Sequence, residues 1–184
     1  MTADDPSTPD PSPQGARRPL KSRDTTWARS LTDRAIHAGI TPNQISRAGV
    51  GFAGMALVFF ALSPFGPGFL QGFWLLLAAG ACQARLACNL IDGMVAVEGG
   101  HGEKDGVFWN EAPDRLSDLL FLAGAGLAAG NLGLGLFAAA LAILAAYVRE
   151  LGRSEGFAPD YSGPMAKQHR MAALTLGCVL AAFY

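Results

Sequence analysis

Polar side chains recur at helical spacing in two separate stretches of the chain. In the first, a polar or small residue appears every three or four positions, at Arg85, Asn89, Asp92 and Ala96. In the second, acidic residues follow the same spacing, at Glu111, Asp114 and Asp118. Residues three and four apart share one face of an α-helix, so each stretch presents these groups together. If the loop between the stretches folds the second helix back against the first, the oxygen-bearing side chains can converge.

The chemistry predicted for such a cluster is the binding of a divalent cation. Carboxylates gathered in a place of low dielectric constant repel one another unless they are protonated or neutralised. Carboxylate and amide oxygens are hard ligands that suit Mg²⁺, Mn²⁺ or Ca²⁺. Gly93 and Ala96 leave the same face without bulk, as a ligand lying against the helix requires. The alternative without a metal is that Asp114 pairs with Arg85 or Arg115, while the neighbouring amide only bridges the helices.

The stretches that must position these residues belong to helices with long uncharged runs. Of the 184 residues, 51% are hydrophobic and 16% are charged. No Asp, Glu, Lys or Arg occurs between Arg47 and Arg85 or between Asp118 and Arg149. Each run is long enough for two membrane-crossing helices and has turn residues near its middle. The pattern predicts an all-α polytopic transmembrane bundle, with membrane helices at about 42–62, 69–97, 111–129, 134–151 and 165–184.

The N-terminal segment has a different composition from the rest of the chain. Residues 1–24 are rich in Pro, Asp, Ser and Thr and lack the apolar core of a signal peptide, which predicts a disordered tail. Residues 25–39 place Trp27 and Leu31 roughly on one face, as in an amphipathic helix that lies in the membrane interface. We therefore expect a tail followed by one membrane domain over 25–184.

The charged turns of the second and third membrane helices are expected to lie inside the membrane. The apolar run that ends at Arg85 is shorter than the roughly 20 residues of a full span, and Asp114 and Asp118 occupy the first two turns of the third helix. Charges at this depth normally face a bundle interior or a wet cavity and serve function. The Lys and Arg residues lie on the side of the N-terminus and of the loop after Arg149, so the positive-inside rule places the N-terminus and the site on the cytoplasmic side.

Both stretches resemble the signature of the CDP-alcohol phosphatidyltransferase family, D-x2-D-G-x2-A-R-x8-G-x3-D-x3-D. The matching segments here are NLIDGMVA over 89–96 and DRLSD over 114–118. The run GITPNQ over 39–44 is also similar to a segment that commonly precedes the first membrane helix in that family. Together these segments cover most of residues 35–130. The sequence departs from the signature at its first aspartate, its arginine and its second glycine, which are here Asn89, Val97 and Asn110.

The resemblance implies an integral membrane transferase of phospholipid biosynthesis in a bacterial-type inner or cell membrane. Members of the family join a CDP-activated alcohol, such as CDP-diacylglycerol, to a second alcohol and release CMP. They use two divalent ions, Mg²⁺ or Mn²⁺, to bind the diphosphate of the donor. The corresponding metal ligands here are Asn89, Asp92 and Asp114. Asp118 is a further ligand or the general base that takes the proton of the acceptor hydroxyl.

Other residues gain expected roles from their place near this site. Glu111, one turn before Asp114, can restore the negative charge that Asn89 lacks, and Gly93 and Ala96 would lie against the cytidine. Basic residues suited to a phosphorylated acceptor are Arg85, Arg149, Arg153, Lys167 and Arg170. Contact with anionic lipid headgroups is the alternative role for each of them. The expected partners are a CDP-alcohol, a small alcohol acceptor, membrane lipid and a second copy in a homodimer, with no nucleic acid.

Two other functions are compatible with parts of the pattern. A catalytically silent membrane protein on the same fold, acting as a partner of lipid enzymes, would explain the departures at Asn89 and Val97. An ion-conducting or transporting protein would also carry acidic residues at membrane depth, but its polar residues would continue to the far side, where these helices have Leu, Ala, Gly and Phe. Family members usually have six membrane helices, so a total of five or six is expected here.

Overall fold

The computed structural model describes residues 25–99, 106–157 and 167–184. These residues form six helices and no strand, which confirms the predicted all-helical class. The predicted tail over 1–24 lies outside the described residues. The helices are α1 (Thr26–His37), α2 (Pro42–Leu62), α3 (Gly68–Glu98), α4 (Gly106–Ala128), α5 (Leu132–Ser154) and α6 (Lys167–Ala182).

Three of the helices are long and apolar enough to cross a membrane. These are α2, α3 and α5, with mean hydropathies of 1.8, 1.4 and 1.9 over their most apolar windows. The described parts of α4 and α6 do not meet the same criterion. Helix α4 begins at Gly106, five residues before the predicted start, so Glu111, Asp114 and Asp118 lie in its second to fourth turns. Helix α6 has 16 residues. The structure is consistent with a membrane protein, while the predicted spans at α4 and α6 stay predictions.

The start of α2 is fixed by a reciprocal cap. Thr41 Oγ1 accepts a hydrogen bond from the Gln44 amide at 3.3 Å, and Gln44 Oε1 accepts one from the Thr41 amide at 3.0 Å. Pro42 occupies the first turn, where its missing N–H costs nothing. Gly39, with φ of 67°, ends α1 just before this cap. This local chemistry fixes which face of α2 turns toward α3.

Helix α1 lies against the C-terminal half of α3. Its buried residues are Ala28, Thr32 and Ala35, and Thr32 Oγ1 lies 3.7 Å from the sulfur of Met94 on α3. Trp27 is 48% exposed on the remaining surface of the helix. The helix predicted for this segment is therefore present, and its small residues face the protein while larger apolar ones do not. Its location in a membrane interface stays a prediction.

At the other end of the bundle, neighbouring helices approach with almost no side chain between them. A Cβ built on Gly72 of α3 would lie 2.5 Å from the Ala182 carbonyl oxygen of α6. One built on Gly126 of α4 would lie 2.8 Å from the Gly135 Cα of α5, and one on Gly124 would lie 2.7 Å from the Phe60 ring of α2. We call this region the small-residue end. Such close approach lets the helix backbones make van der Waals contact. In lipid this contact can hold helices together, because the hydrophobic effect does not act between them there.

Candidate functional site

The first group of site residues comes from α3 and meets α2. Asp92 is 9% exposed, and its Oδ2 accepts a hydrogen bond from Ser46 Oγ of α2 at 2.7 Å. Ser46 lies one turn into α2, so the cap at Thr41 sets its direction. A neutral hydroxyl orients this carboxylate without adding a positive charge beside it.

Arg85 of α3 is the most deeply buried cation of the described residues, with 1% of its surface exposed. Its Nη2 donates to Asp114 Oδ1 of α4 at 2.7 Å, and its Nε donates to Ser117 Oγ at 2.9 Å. On α2, Gly49 makes room for the side chain, since a Cβ there would lie 2.9 Å from Arg85 Cδ. Arg85 therefore joins three helices. The pairing of Arg85 with Asp114, the alternative to a metal site, is present.

Ser117 is held by the local geometry of α4. Pro113 lies inside this helix, and Ser117 Oγ donates to the Pro113 carbonyl oxygen at 2.6 Å. The hydroxyl thus donates its hydrogen within α4, and its oxygen accepts the hydrogen bond from Arg85. Ser117 is completely buried, so this arrangement fixes the guanidinium without adding a charge.

The first turn of α6 supplies two more cations to the same place. Lys167 Nζ donates to Asp114 Oδ1, the oxygen that also accepts from Arg85. Arg170 Nη2 donates to Asp118 Oδ2 at 2.6 Å. Asp118 is 1% exposed, and its other oxygen, Oδ1, has no hydrogen-bond partner among the described residues. One oxygen of Asp118 is thus fixed, while the second is buried and left for a proton or a cation.

These side chains form what we call the ionic cluster: Arg85, Asp92, Asp114, Asp118, Lys167 and Arg170. Its three carboxylates and three cations come from α3, α4 and α6, and every member except Asp92 takes part in an ion pair. Removing charges from water is costly, and ion pairing repays this cost only in part. A buried cluster of this kind therefore contributes little net stability. It is a good candidate for a functional site. It combines a buried carboxylate able to take a proton with cations able to bind phosphate.

The other predicted site residues lie apart from these pairs. Glu111 forms an ion pair with Arg115 on the same helix, four residues on, so its charge is already engaged there. Arg153 of α5 is 46% exposed and pairs with Glu150 at 3.5 Å, while Arg149 is half-buried on the same helix. Three further predicted residues are partly buried along α3: Asn89, Gly93 and Ala96.

The cluster offers a divalent ion only a few oxygen ligands. Within 25–99, 106–157 and 167–184, no group of three His, Cys, Asp or Glu side chains is arranged to hold an ion. The unpartnered Oδ1 of Asp118 suits a cation, and the amide oxygen of Asn89 could complete a ligand set with Asp92. An ion held by Asn89, Asp92 and Asp118 is compatible with these side chains, and the predicted metal site stays a prediction.

An apolar groove of about 630 Å³ extends from the ionic cluster toward the small-residue end. Arg170 lies at its charged end, and along α6 the lining continues to Ala181, which is about 16 Å of helix. Its walls come from every described helix except α1, and examples are Phe60, Leu75, Leu122, Ala142 and Leu174. A long apolar groove with a cation at one end has the shape and polarity of a site for a lipid chain.

Three residues around the cluster were not predicted from the sequence: Ser46, Gly49 and Ser117. Ser46 and Gly49 follow the TPN segment at three-residue spacing, so their common helical face was a signal for them. Ser117 lies within the DRLSD segment, between two aspartates. Comparison of the sequence with protein-family models gives no match, and comparison with curated proteins gives none either.

Proposed function

We propose that the chain is an integral membrane transferase that moves a phosphatidyl or related phospho-alcohol group from a CDP-alcohol to an alcohol acceptor and releases CMP. The observation that carries this proposal is the ionic cluster. It brings a carboxylate oxygen without a partner among the described residues, Asp118 Oδ1, beside cations at the mouth of an apolar groove. The order of residues in α3 and α4 also matches the D-G-x2-A and D-x3-D parts of the family signature.

Acceptor activation is the role proposed for Asp118. Attack on the β-phosphorus of the donor needs a hydroxyl that loses its proton, and a carboxylate accepts that proton if it is oriented and ionised. The contact of Arg170 with Oδ2 supports the first condition, because it fixes the orientation of the carboxylate. Asp118 is also proposed as a ligand of the divalent ion.

Donor binding is proposed for the cations and for a divalent ion together. Lys167 and Arg170 supply positive charge for the phosphates, and a divalent ion, Mg²⁺ or Mn²⁺, would stabilise the charge that develops on the attacking and leaving oxygens. The residues that would hold this ion are Asn89, Asp92 and Asp118. Gly93 and Ala96 leave the adjoining face of α3 open for the cytidine.

A lipid donor, such as CDP-diacylglycerol, is favoured over a soluble one by the groove. The groove is lined mainly by Ala, Leu and Phe side chains. An acyl chain bound there is removed from water, which is favourable. For the chain as a whole we propose five membrane spans, α2 to α6, with α1 in the interface and with the N-terminus and the site on the cytoplasmic side.

The test is a transfer assay with purified protein in detergent. Radiolabelled CDP-diacylglycerol and Mn²⁺ are supplied with a panel of acceptors that includes glycerol phosphate, inositol compounds and serine. CMP release that depends on one acceptor is the expected result. Absence of CMP release with every acceptor, together with absence of CDP-lipid binding, would reject the proposal.

A second candidate is a catalytically silent protein on the same fold, acting as a partner of lipid enzymes. The observation that favours it is the double pairing of Asp114, which satisfies this carboxylate without any ligand. CDP-lipid binding without CMP release, under conditions in which a related enzyme is active, would support this candidate.

A further inference from the structure

The ionic cluster carries no net formal charge, and this property limits what it can bind. Its three carboxylates are balanced by Arg85, Lys167 and Arg170. Asn89 offers an oxygen without a charge, where the family signature has an aspartate. Two divalent ions would bring four positive charges to a buried site that is already neutral. One ion brings two, which the two negative charges of a donor diphosphate balance.

Asp114 is the carboxylate least suited to a metal. Its Oδ1 accepts from Arg85 on one side and from Lys167 on the other. Arg85 is 1% exposed and the Lys167 side chain 15%, so water screens neither charge well. An ion bound to Asp114 would lie beside two buried cations that it repels.

Asp92 and Asp118 are better placed for a cation. The partner of Asp92 is the neutral hydroxyl of Ser46, which does not oppose a nearby positive charge. Asp118 pairs with Arg170 through Oδ2 only, and its buried Oδ1 is unpartnered within the described residues. Mg²⁺ is commonly held by one or two carboxylates together with waters and substrate phosphates. Two carboxylates and an amide therefore suffice for one ion.

We propose that the site binds a single divalent ion, held by Asp92, Asp118 and Asn89, and that the Arg85 and Lys167 pair at Asp114 replaces a second ion. The two cations act as fixed positive charges beside the donor diphosphate. This inference rests on the proposed transferase function, because the diphosphate of a CDP-alcohol supplies the charge that balances the ion.

Ion stoichiometry tests the inference without any turnover. Purified full-length chain in detergent is titrated with Mn²⁺ in the presence of saturating CDP, and free Mn²⁺ is followed by electron paramagnetic resonance against a blank of CDP alone. One bound Mn²⁺ per chain is expected. Two bound ions, or none, would overturn the inference. Glu150→Gln removes a carboxylate of α5 that pairs with Arg153, and it should leave the stoichiometry at one.

A pair of variants tests the charge argument directly. Asn89→Asp adds a negative charge and should tighten Mn²⁺ binding by about tenfold or more. Combined with Lys167→Met, which still leaves Asp114 paired with Arg85, it should allow a second Mn²⁺ to bind. If the double variant still binds one ion, the basic pair is not what excludes the second. If Asn89→Asp alone leaves the Mn²⁺ affinity unchanged, Asn89 is not a ligand.

Separate measurement of CMP release distinguishes the two proposals. Two bound ions with CMP release would overturn the single-ion inference and keep the transferase. One bound ion with CDP-lipid binding but without CMP release would overturn the transferase and keep the single-ion site.

Discussion

The two ends of the helical bundle are built by opposite means. At the small-residue end, Gly72, Gly126 and Gly135 let backbones touch, and apolar contact holds the helices together. At the end with the ionic cluster, ion pairs such as Arg85 with Asp114 hold α4 to α3 and α6. Contact between backbones stabilises a membrane bundle at little cost, whereas burying charges is expensive even when they are paired. The comparison indicates that the first end serves assembly, and it supports the proposal that the second end, called the chemical end below, serves chemistry.

Asp118→Asn should show the largest effect and should affect only the chemical end. An amide cannot take a proton, so CMP release should fall by about 10³-fold if Asp118 is the base. CDP-lipid binding should stay within a few fold of the wild type, measured by equilibrium binding in detergent, because the amide oxygen of the variant can still contact the ion. Equal loss of binding would show that Asp118 acts only as a ligand of the ion and is not the base. Asp33→Asn, on the exposed surface of α1, is the matched control and should leave both measurements unchanged.

Arg85→Met should be the most destabilising change among the cluster residues. It leaves Asp114 with Lys167 alone and leaves Ser117 without its donor. Breaking a buried pair costs about 3 kcal/mol of unfolding free energy, which unfolding in mixed micelles would measure. Arg153→Met removes a partly exposed pair and should cost less than about 1 kcal/mol. Similar losses for the two variants would contradict the separate roles of the two arginines.

Gly135→Ala breaks the small-residue end without touching the cluster. Its Cβ would overlap the Leu122 carbonyl oxygen of α4, so the two helices must separate, at a cost of about 2 kcal/mol. Gly133→Ala lies two residues earlier on α5. A Cβ there would meet only Asn131 Oδ1, at 3.6 Å, so this change should cost little stability. Thermal unfolding in detergent measures both. CMP release per folded molecule should be unchanged in each, and a specific loss of turnover in Gly135→Ala would show that the two ends are coupled.

Gly49→Ala should give the smallest effect and tests packing at the chemical end. The new Cβ would lie 2.9 Å from Arg85 Cδ, and the flexible arginine can shift by a few tenths of an ångström. We expect a loss of about 1 kcal/mol in stability and a few-fold loss in CMP release as Arg85 moves. Gly51→Ala has no atom within 4 Å of its Cβ and should be neutral or slightly stabilising. Equal behaviour of the two variants would show that Arg85 does not depend on Gly49.

Helix bounds could be predicted from the sequence because local signals determine them. The uncharged runs and the turns near 63–68 and 130–133 gave α2, α3 and α5 to within a few residues. The cap at Thr41 could also be read directly, since Thr, Pro and Gln follow a known order at helix starts. The number of spans is less accessible, because charges in α4 and the short length of α6 lower the signal there.

Side-chain partners were harder to predict than helix faces. Spacing brought Arg85, Asp92 and Asp114 together, but it could not say whether the carboxylates meet a metal or a cation. The answer depends on how α4 and α6 are rotated about their axes. In the observed rotation Lys167 pairs with Asp114, while Glu111 pairs with Arg115. Arg85 was predicted to bind substrate; its hydrogen-bond partners here are Ser117 and Asp114, and its role toward a substrate stays a prediction. Arg85 can be buried this deeply because Gly49 has no side chain. That Gly49 faces Arg85 becomes clear only when α2 and α3 are packed together.

The double pairing of Asp114 also has a consequence for biosynthesis. Arg85 precedes Asp114 by 29 residues, whereas Lys167 follows it by 53. In a chain that enters the membrane as it leaves the ribosome, Arg85 is present when Asp114 arrives, and Lys167 is not yet made. The first partner can therefore shield the aspartate during insertion, and α6 completes the charge balance when it docks on α3.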